Sequence, residues 1–286
     1  MGGRKMFNML WSAAIVICTA LCLGSLLFAS VYKGKDNAGT GAARETLSVT
    51  EESTQSAAGT VTAGTVTSSP PQSITRLTET PDAGQEYLDE IIFLGDSTTY
   101  GIKFYLDHGF PDLVSADQIW TPSNGTFTLA YQSTTEIYYP DTGEEMNLAQ
   151  AVRQKLPKYM IITLGVNGIA FMDESYFTEE YDNLVERIQL ASPDTIIICN
   201  SIFPVAENYE NLEQINNTKI QAANKWIESI AENRGTYYLY SYEALADSQG
   251  NLPLDYQNGD GLHLTGEAFE IFLSYVRTHA CPEALE

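Results

Sequence analysis

The chain from about residue 82 onward predicts an α/β fold in which a mainly parallel sheet is covered by helices on both faces. Three observations carry this prediction. Short apolar runs recur without polar alternation, at Ile91–Leu94, Tyr159–Leu164 and Thr195–Cys199, as expected of parallel strands buried on both sides. Between them, apolar residues repeat every three or four positions, the spacing of amphipathic helices. Strand and helix patterns alternate, and each parallel pair needs a crossover of that kind.

The N-terminal part reads differently. After Arg4 and Lys5 no charged residue occurs from Met6 to Tyr32, which is long enough to span a bilayer. Phe28-Ala29-Ser30 is a poor cleavage site, so residues 1–33 are expected to be a cytoplasmic N-terminus followed by an uncleaved transmembrane anchor. Cys18 and Cys22 then read as membrane-helix side chains. Arg4 and Lys5 favour a cytoplasmic start, and Lys33 and Lys35 weaken that bias. Residues 34–81 are rich in Ser, Thr, Gly and Ala and nearly free of aromatics. Such a stretch cannot bury enough apolar surface to offset its ordering entropy and is expected to be a disordered linker. Residues 82–286 form the expected catalytic domain.

Within that domain, Ile91–Leu94 is the first strand and the residues from Ser97 to about Tyr105 the first helix. A loop-rich stretch through Trp120 and Gly125 follows. Thr135–Tyr139 reads as a strand, and Pro140-Asp141-Thr142-Gly143 as a turn leading to a helix near Leu148–Leu156. Tyr159–Leu164 runs into Gly165 and Asn167. Phe177, Tyr181, Leu184 and Ile188 mark a helix closed by Pro193. Thr195–Cys199 is another buried strand, Ile220 to Ile230 a long helix, Tyr237–Tyr240 a further strand, and Phe269 to Val276 the last helix, with Thr265 as its N-cap.

Charge excludes some functions. The chain holds 15 Lys and Arg against 37 Asp and Glu, and residues 81–286 carry nine of the former and 32 of the latter. So anionic a domain repels nucleic acid, and no nucleic-acid partner is expected. No Cys/His cluster has zinc-ligand spacing and no glycine-rich phosphate loop is present, so no metal or cofactor is expected. Cys199 reads as a buried strand thiol and Cys281 as part of an exposed tail, with a bridge between them left open.

Gly95-Asp96-Ser97 stands at the carboxyl end of the first strand, where open α/β sheets place their chemistry, although it is also ordinary turn composition. Near the other end, Asp260 and His263 are three residues apart in Gly259-Asp260-Gly261-Leu262-His263. A loop at that spacing lets a carboxylate orient an imidazole, and an oriented imidazole activates a serine. Ser97, His263 and Asp260 thus form a candidate triad. Ser97 could instead cap its helix, and Asp260 could serve only as a turn former. His108 reads as a cation at a helix C-terminus, and His279 falls near the end of the last helix.

These residues give the chain a resemblance to the SGNH hydrolases, also called GDSL esterases. Gly95-Asp96-Ser97 matches the family's nucleophile block, Gly165-Val166-Asn167-Gly168 resembles its Gly-x-Asn-Asp block, and Asp260-Gly261-Leu262-His263 matches its Asp-x-x-His block. The resemblance implies a three-layer, flavodoxin-like α/β/α sandwich and a serine esterase with Ser97 as nucleophile, His263 as base and Asp260 as its partner. It further implies an oxyanion hole of the Ser97 N–H, the Asn167 side-chain amide and a glycine N–H, for which Gly125 is the candidate. Gly168 departs from the pattern, standing where the family has Asp. The expected activity is that of a membrane-anchored, extracytoplasmic esterase acting on carboxylic esters, with O-acetyl groups of cell-surface polysaccharide as the preferred substrate. Two alternatives stay open: an O-acyltransferase with the same triad, and a non-catalytic glycan-binding protein, which Gly168 and aromatics such as Trp120 and Tyr131 allow. Tyr138-Tyr139 and Tyr237-Tyr238 read as sugar-site or core residues.

Overall fold

The computed structural model describes residues 75–285. The expected anchor, residues 1–33, and most of the expected linker lie outside them. Among the described residues no helix is long and apolar enough to cross a membrane.

Helix α1 (Gly84–Asp89) leads into strand β1 (Ile91–Gly95), and α2 (Ser97–Leu106) starts after a single intervening residue. The short strand β2 (Ile119–Trp120) precedes a hairpin of β3 (Glu136–Tyr139) and β4 (Glu144–Asn147), then α3 (Leu148–Lys155) and β5 (Tyr159–Thr163). Next come α4 (Glu174–Ala191), β6 (Ile196–Asn200), α5 (Asn217–Arg234), β7 (Tyr237–Leu239), α6 (Tyr242–Leu245) and α7 (Gly266–Thr278). The main sheet has five strands in the order β2-β1-β5-β6-β7. Every neighbouring pair is parallel. The hairpin stands apart as a two-stranded antiparallel sheet.

Alternation along the strands splits the core into two layers. Ile92, Leu94, Met160, Ile162, Ile197, Cys199 and Tyr238 pack with residues of α3, α4 and α5. Ile91, Phe93, Tyr159, Ile161, Ile198 and Leu239 pack with α1, α2 and α7. Because successive strand side chains point to opposite faces, an unbroken apolar run is what a sheet between two helical layers requires. The expected α/β/α sandwich is the observed architecture.

Three of these expectations need correction. Ile119–Trp120 is a strand of the main sheet rather than loop, and two residues are too few to show a period. Glu144–Asn147, read as the approach to a helix, is the return strand of the hairpin. Cys281 is fully buried with Tyr87 and Tyr159 rather than exposed. It lies in the layer opposite Cys199, and both thiols are free.

Residues 75–81, part of the expected disordered linker, are also ordered. Tyr238 N–H donates to Thr75 O at 2.8 Å and Leu77 N–H donates to Tyr238 O at 2.9 Å. Leu77 is buried, and the Arg76 guanidinium lies 4.4 Å from the Tyr240 ring centroid. The segment satisfies backbone groups that the β7 edge would otherwise leave open, a gain that its polar composition does not advertise.

Candidate active site

The site is built where β1 and β5 end side by side. Gly95 pairs with Thr163 across these strands, and a Cβ on Gly95 would fall 1.9 Å from Thr99 Oγ1 and 2.6 Å from Thr163 O. Only glycine fits there, and its absence of side chain lets α2 start at once. Asp96, not Ser97, is the N-cap: its Oδ1 accepts from Thr98 N–H at 3.0 Å and from Thr98 Oγ1–H at 2.8 Å. Ser97 is therefore the first helical residue. Its N–H is among the donors that a helix start leaves without an intrahelical partner, close to the positive end of the helix dipole.

His263 and Asp260 arrive on a loop with many internal ties. Gln257 and Leu264 form an antiparallel bridge across its base, reinforced by Asn258 N–H to His263 O and Thr265 N–H to Tyr256 O, both at 2.9 Å. Gln257 Oε1 accepts from Gly259 N–H and Gly261 N–H. Gly261, at φ +83°, packs so closely that a Cβ would lie 2.7 Å from Tyr209 Cα. Asp260 Oδ1 accepts from Leu262 N–H at 2.8 Å and His263 N–H at 2.9 Å. Its Oδ2 stands 2.7 Å from His263 Nδ1, and His263 Nε2 stands 2.8 Å from Ser97 Oγ. Asp260 thus shapes the turn and orients the imidazole together. With the Nδ1 proton directed at Asp260, Nε2 is the acceptor for the Ser97 hydroxyl.

Electrostatics divides the two aspartates. Burial would raise the Asp260 carboxyl, but hydrogen bonding from His263, its nearby charge, and the N–H groups of His263 and Leu262 outweigh burial and hold it below the ordinary value. Burial wins at Asp96, which is fully enclosed, and pushes it up to about 6 against the lowering pull of Thr98 and His263. Its Oδ2 receives no hydrogen bond among the described residues.

The loop after β5 carries Asn167. Gly165, at φ +131°, leaves no room for a side chain, since a Cβ would lie 2.9 Å from Ile202 Cδ1 and from Phe177 Cζ. Gly168 N–H donates back to Gly165 O at 2.8 Å, which turns Asn167 outward from the strand line. The Asn167 amide sits 3.5 Å from Phe127 O, a long hydrogen bond. Gly125 does not supply the expected donor. Its N–H is spent on Pro122 O at 2.8 Å, because residues 122–125 close a tight turn with Gly125 at φ +72°.

Ser97, His263 and Asp260 therefore come together in series, Asn167 stands on the loop beside them, and Gly125 drops out as a backbone donor. His108 stacks on Phe104 just past the end of α2, and His279 caps α7 against Tyr275. Two contributors were missed in the sequence: Asp96 as the cap, and Gln257 as the brace of the histidine loop. The density of turn formers in Gln257-Asn258-Gly259-Asp260-Gly261 was the available signal for the second. Among the described residues no group of three or more His, Cys, Asp or Glu could hold a metal ion.

Fold and site together define a three-layer α/β protein that holds a serine, a histidine and an aspartate in hydrogen-bonded sequence at the sheet's carboxyl edge. The model of the GDSL-like lipase/acylhydrolase family matches residues 93–271. The chain belongs to that family and is an enzyme of its esterase class. A search of curated proteins gives no match. Similar solved structures include a GDSL-like lipase from Bacteroides thetaiotaomicron, 20% identical with a TM-score of 0.46, covering 65% of this chain and 84% of that one. The periplasmic domain of a lipopolysaccharide acetyltransferase from Salmonella ser. Paratyphi A is 18% identical with a TM-score of 0.44, covering 71% and 89%. A carbohydrate esterase family 3 protein from Talaromyces cellulolyticus is 14% identical with a TM-score of 0.41, covering 65% and 93%.

Proposed function

We propose that the protein is a membrane-anchored, extracytoplasmic serine esterase that removes O-acetyl groups from cell-surface glycans, with Ser97 as nucleophile. The observation that carries this reading is the unbroken series Asp260 Oδ2, His263, Ser97 Oγ, with separations of 2.7 and 2.8 Å. Ser97 Oγ attacks the ester carbonyl while His263 Nε2 takes its proton, and Asp260 stabilises the imidazolium that results. The Ser97 N–H and the Asn167 amide receive the oxyanion. His263 then protonates the departing sugar alcohol. Water, deprotonated by the same imidazole, releases acetate from the acyl enzyme and restores Ser97. The uncharged run from Met6 to Tyr32 supports the anchor, and an anchor followed by a long polar linker favours a substrate at the cell surface.

The test is Ser97→Ala in the detergent-solubilised full chain. Turnover of a small acetyl ester should fall by about 10⁴ or more, from triad deletions in other serine hydrolases. Unchanged turnover would remove the assignment. Protease treatment of intact cells checks the topology, and a protected catalytic domain would refute the outward orientation.

A further inference from the structure

Three exposed aromatic residues stand in or next to the segments that flank Asn167. Tyr131, Phe171 and Tyr176 are 46%, 40% and 39% exposed. They follow directly from the two segments that meet at Asn167. Tyr131 lies four residues after Phe127, whose carbonyl faces the Asn167 amide, and Phe171 lies four residues after Asn167 itself. Tyr176 is in the first turn of α4, where partial burial, Glu180, Tyr131 and Glu179 all raise its hydroxyl, which places Tyr131 within its electrostatic reach.

Underneath, the same segments are fixed to the core. Phe127, Leu129, Val166, Ile169, Met172 and Phe177 share one buried cluster. Gln132 Nε2 donates to Glu180 Oε2 at 3.1 Å, and Arg187 Nη1 donates to Gln132 O at 2.7 Å, so the 3₁₀ turn at Leu129–Tyr131 is tied to α4. Exposing such rings to water forgoes burial that this cluster could have provided. A structural role is already filled by the residues beneath them.

We infer that Tyr131, Phe171 and Tyr176 form a stacking platform for an uncharged pyranose ring of the glycan that carries the scissile ester. This rests on the esterase reading above and names where its substrate's sugar lies. An aromatic face matches the C–H face of a sugar ring, and tyrosine hydroxyls suit its hydroxyl edge. Charge selects among sugars. Glu174 in the first turn of α4, together with Glu179 and Glu180 beside Tyr176, borders the platform with negative charge. Uronic acids and phosphorylated glycans meet repulsion there.

The experiment replaces all three with Ala in the full chain and compares two substrates, an O-acetylated xylo-oligosaccharide and p-nitrophenyl acetate. The ratio of their kcat/KM values should shift against the oligosaccharide by about tenfold or more, mainly through KM, as loss of uniform binding predicts. Tyr131→Phe with Tyr176→Phe, Phe171 retained, should keep most of the wild-type ratio. Calorimetry with the Ser97→Ala protein and acetyl-free xylo-, manno- and chito-oligosaccharides measures the platform without turnover. Binding of a neutral sugar that the triple substitution abolishes supports the inference even if no ester is cleaved, which would overturn the esterase reading alone. An unshifted ratio, no binding of any of the three sugars, or tighter binding of oligogalacturonate overturns the platform. Selective loss against p-nitrophenyl decanoate overturns it too, assigning the rings to an acyl chain.

Discussion

The two sides of the site are built to different standards. On the imidazole side, Asp260 receives three hydrogen bonds and the loop that bears it is closed by a backbone bridge, a glutamine brace and a glycine pressed on Tyr209. On the oxyanion side, Asn167 has one long contact, the expected Gly125 donor is committed to its own turn, and glycine replaces the family's aspartate at 168. In the proposed mechanism, proton transfer would draw on this rigid, over-determined loop. Oxyanion binding would draw on the helix N-terminus at Ser97 and on a side chain held by one long hydrogen bond.

Between the two sides, the larger effect should come from Asp260→Asn. The Asn carbonyl can still accept from Leu262 and His263, so the turn survives. Its amide, however, must donate to His263 Nδ1, which forces the imidazole proton onto Nε2 and leaves no base for Ser97. Turnover should fall by about 10⁴ while thermal stability changes little, as in the equivalent triad substitution elsewhere. A loss of only tenfold would mean that the imidazole is oriented by the loop alone, and would erase the contrast.

Asn167→Ala tests the other side and should cost less. If the amide meets the oxyanion chiefly in the transition state, kcat and kcat/KM should drop together by about a hundredfold, with KM nearly constant. A rise in KM alone would make Asn167 a ground-state contact. No change would leave the Ser97 N–H as the main donor.

How much of this was legible in the sequence follows the same divide. That Ser97, His263 and Asp260 would meet could be read because a nucleophile, base and partner as proposed need fixed residue types at fixed places: the end of an apolar run and a three-residue loop spacing. Strands β1, β5 and β6 could be read because burial on both faces leaves an unbroken apolar run. What escaped depends on partners far along the chain. Ile119–Trp120 is a strand only because β1 lies beside it, Thr75–Leu77 is ordered only by the free edge of β7, and Cys281 is buried only because Tyr87 and Tyr159 are there. Gly125 failed for a local reason, since a turn glycine spends its N–H on the turn.

Asp96→Asn gives a smaller and pH-dependent effect. Its carboxyl is raised by burial from 3.8 to about 6, so between these values the folded state keeps a proton that the unfolded state has released. Stability from this group is full below about pH 4 and declines as pH rises through 6. Asparagine retains an acceptor for Thr98 and carries no charge. Relative to wild type, the variant's Tm should therefore rise from pH 4 to pH 7, by about 5 °C for a domain of this size. A difference independent of pH would show that Asp96 ionises without penalty, and that the nucleophile's cap is as well satisfied as the Asp260 carboxylate.

Gly168→Asp, which restores the family residue, should have the smallest effect and decides whether the weaker side lacks a part. A Cβ at 168 would stand 2.8 Å from Met172 Sδ and 3.3 Å from Gly165 O. Met172 is the end of a flexible side chain and can move aside, so the expected cost is about 1 kcal/mol, or a Tm lower by about 3 °C. The turn itself is already closed by Gly168 N–H to Gly165 O and by Met172 N–H to Gly168 O. A carboxylate therefore has no backbone task left to perform there, and kcat should change by less than about threefold. A tenfold gain in kcat without a change in KM would show that the loop around Asn167 is loose in this protein and that aspartate tightens it. The asymmetry between the two sides would then be a defect of one residue, and not the way this site divides its work.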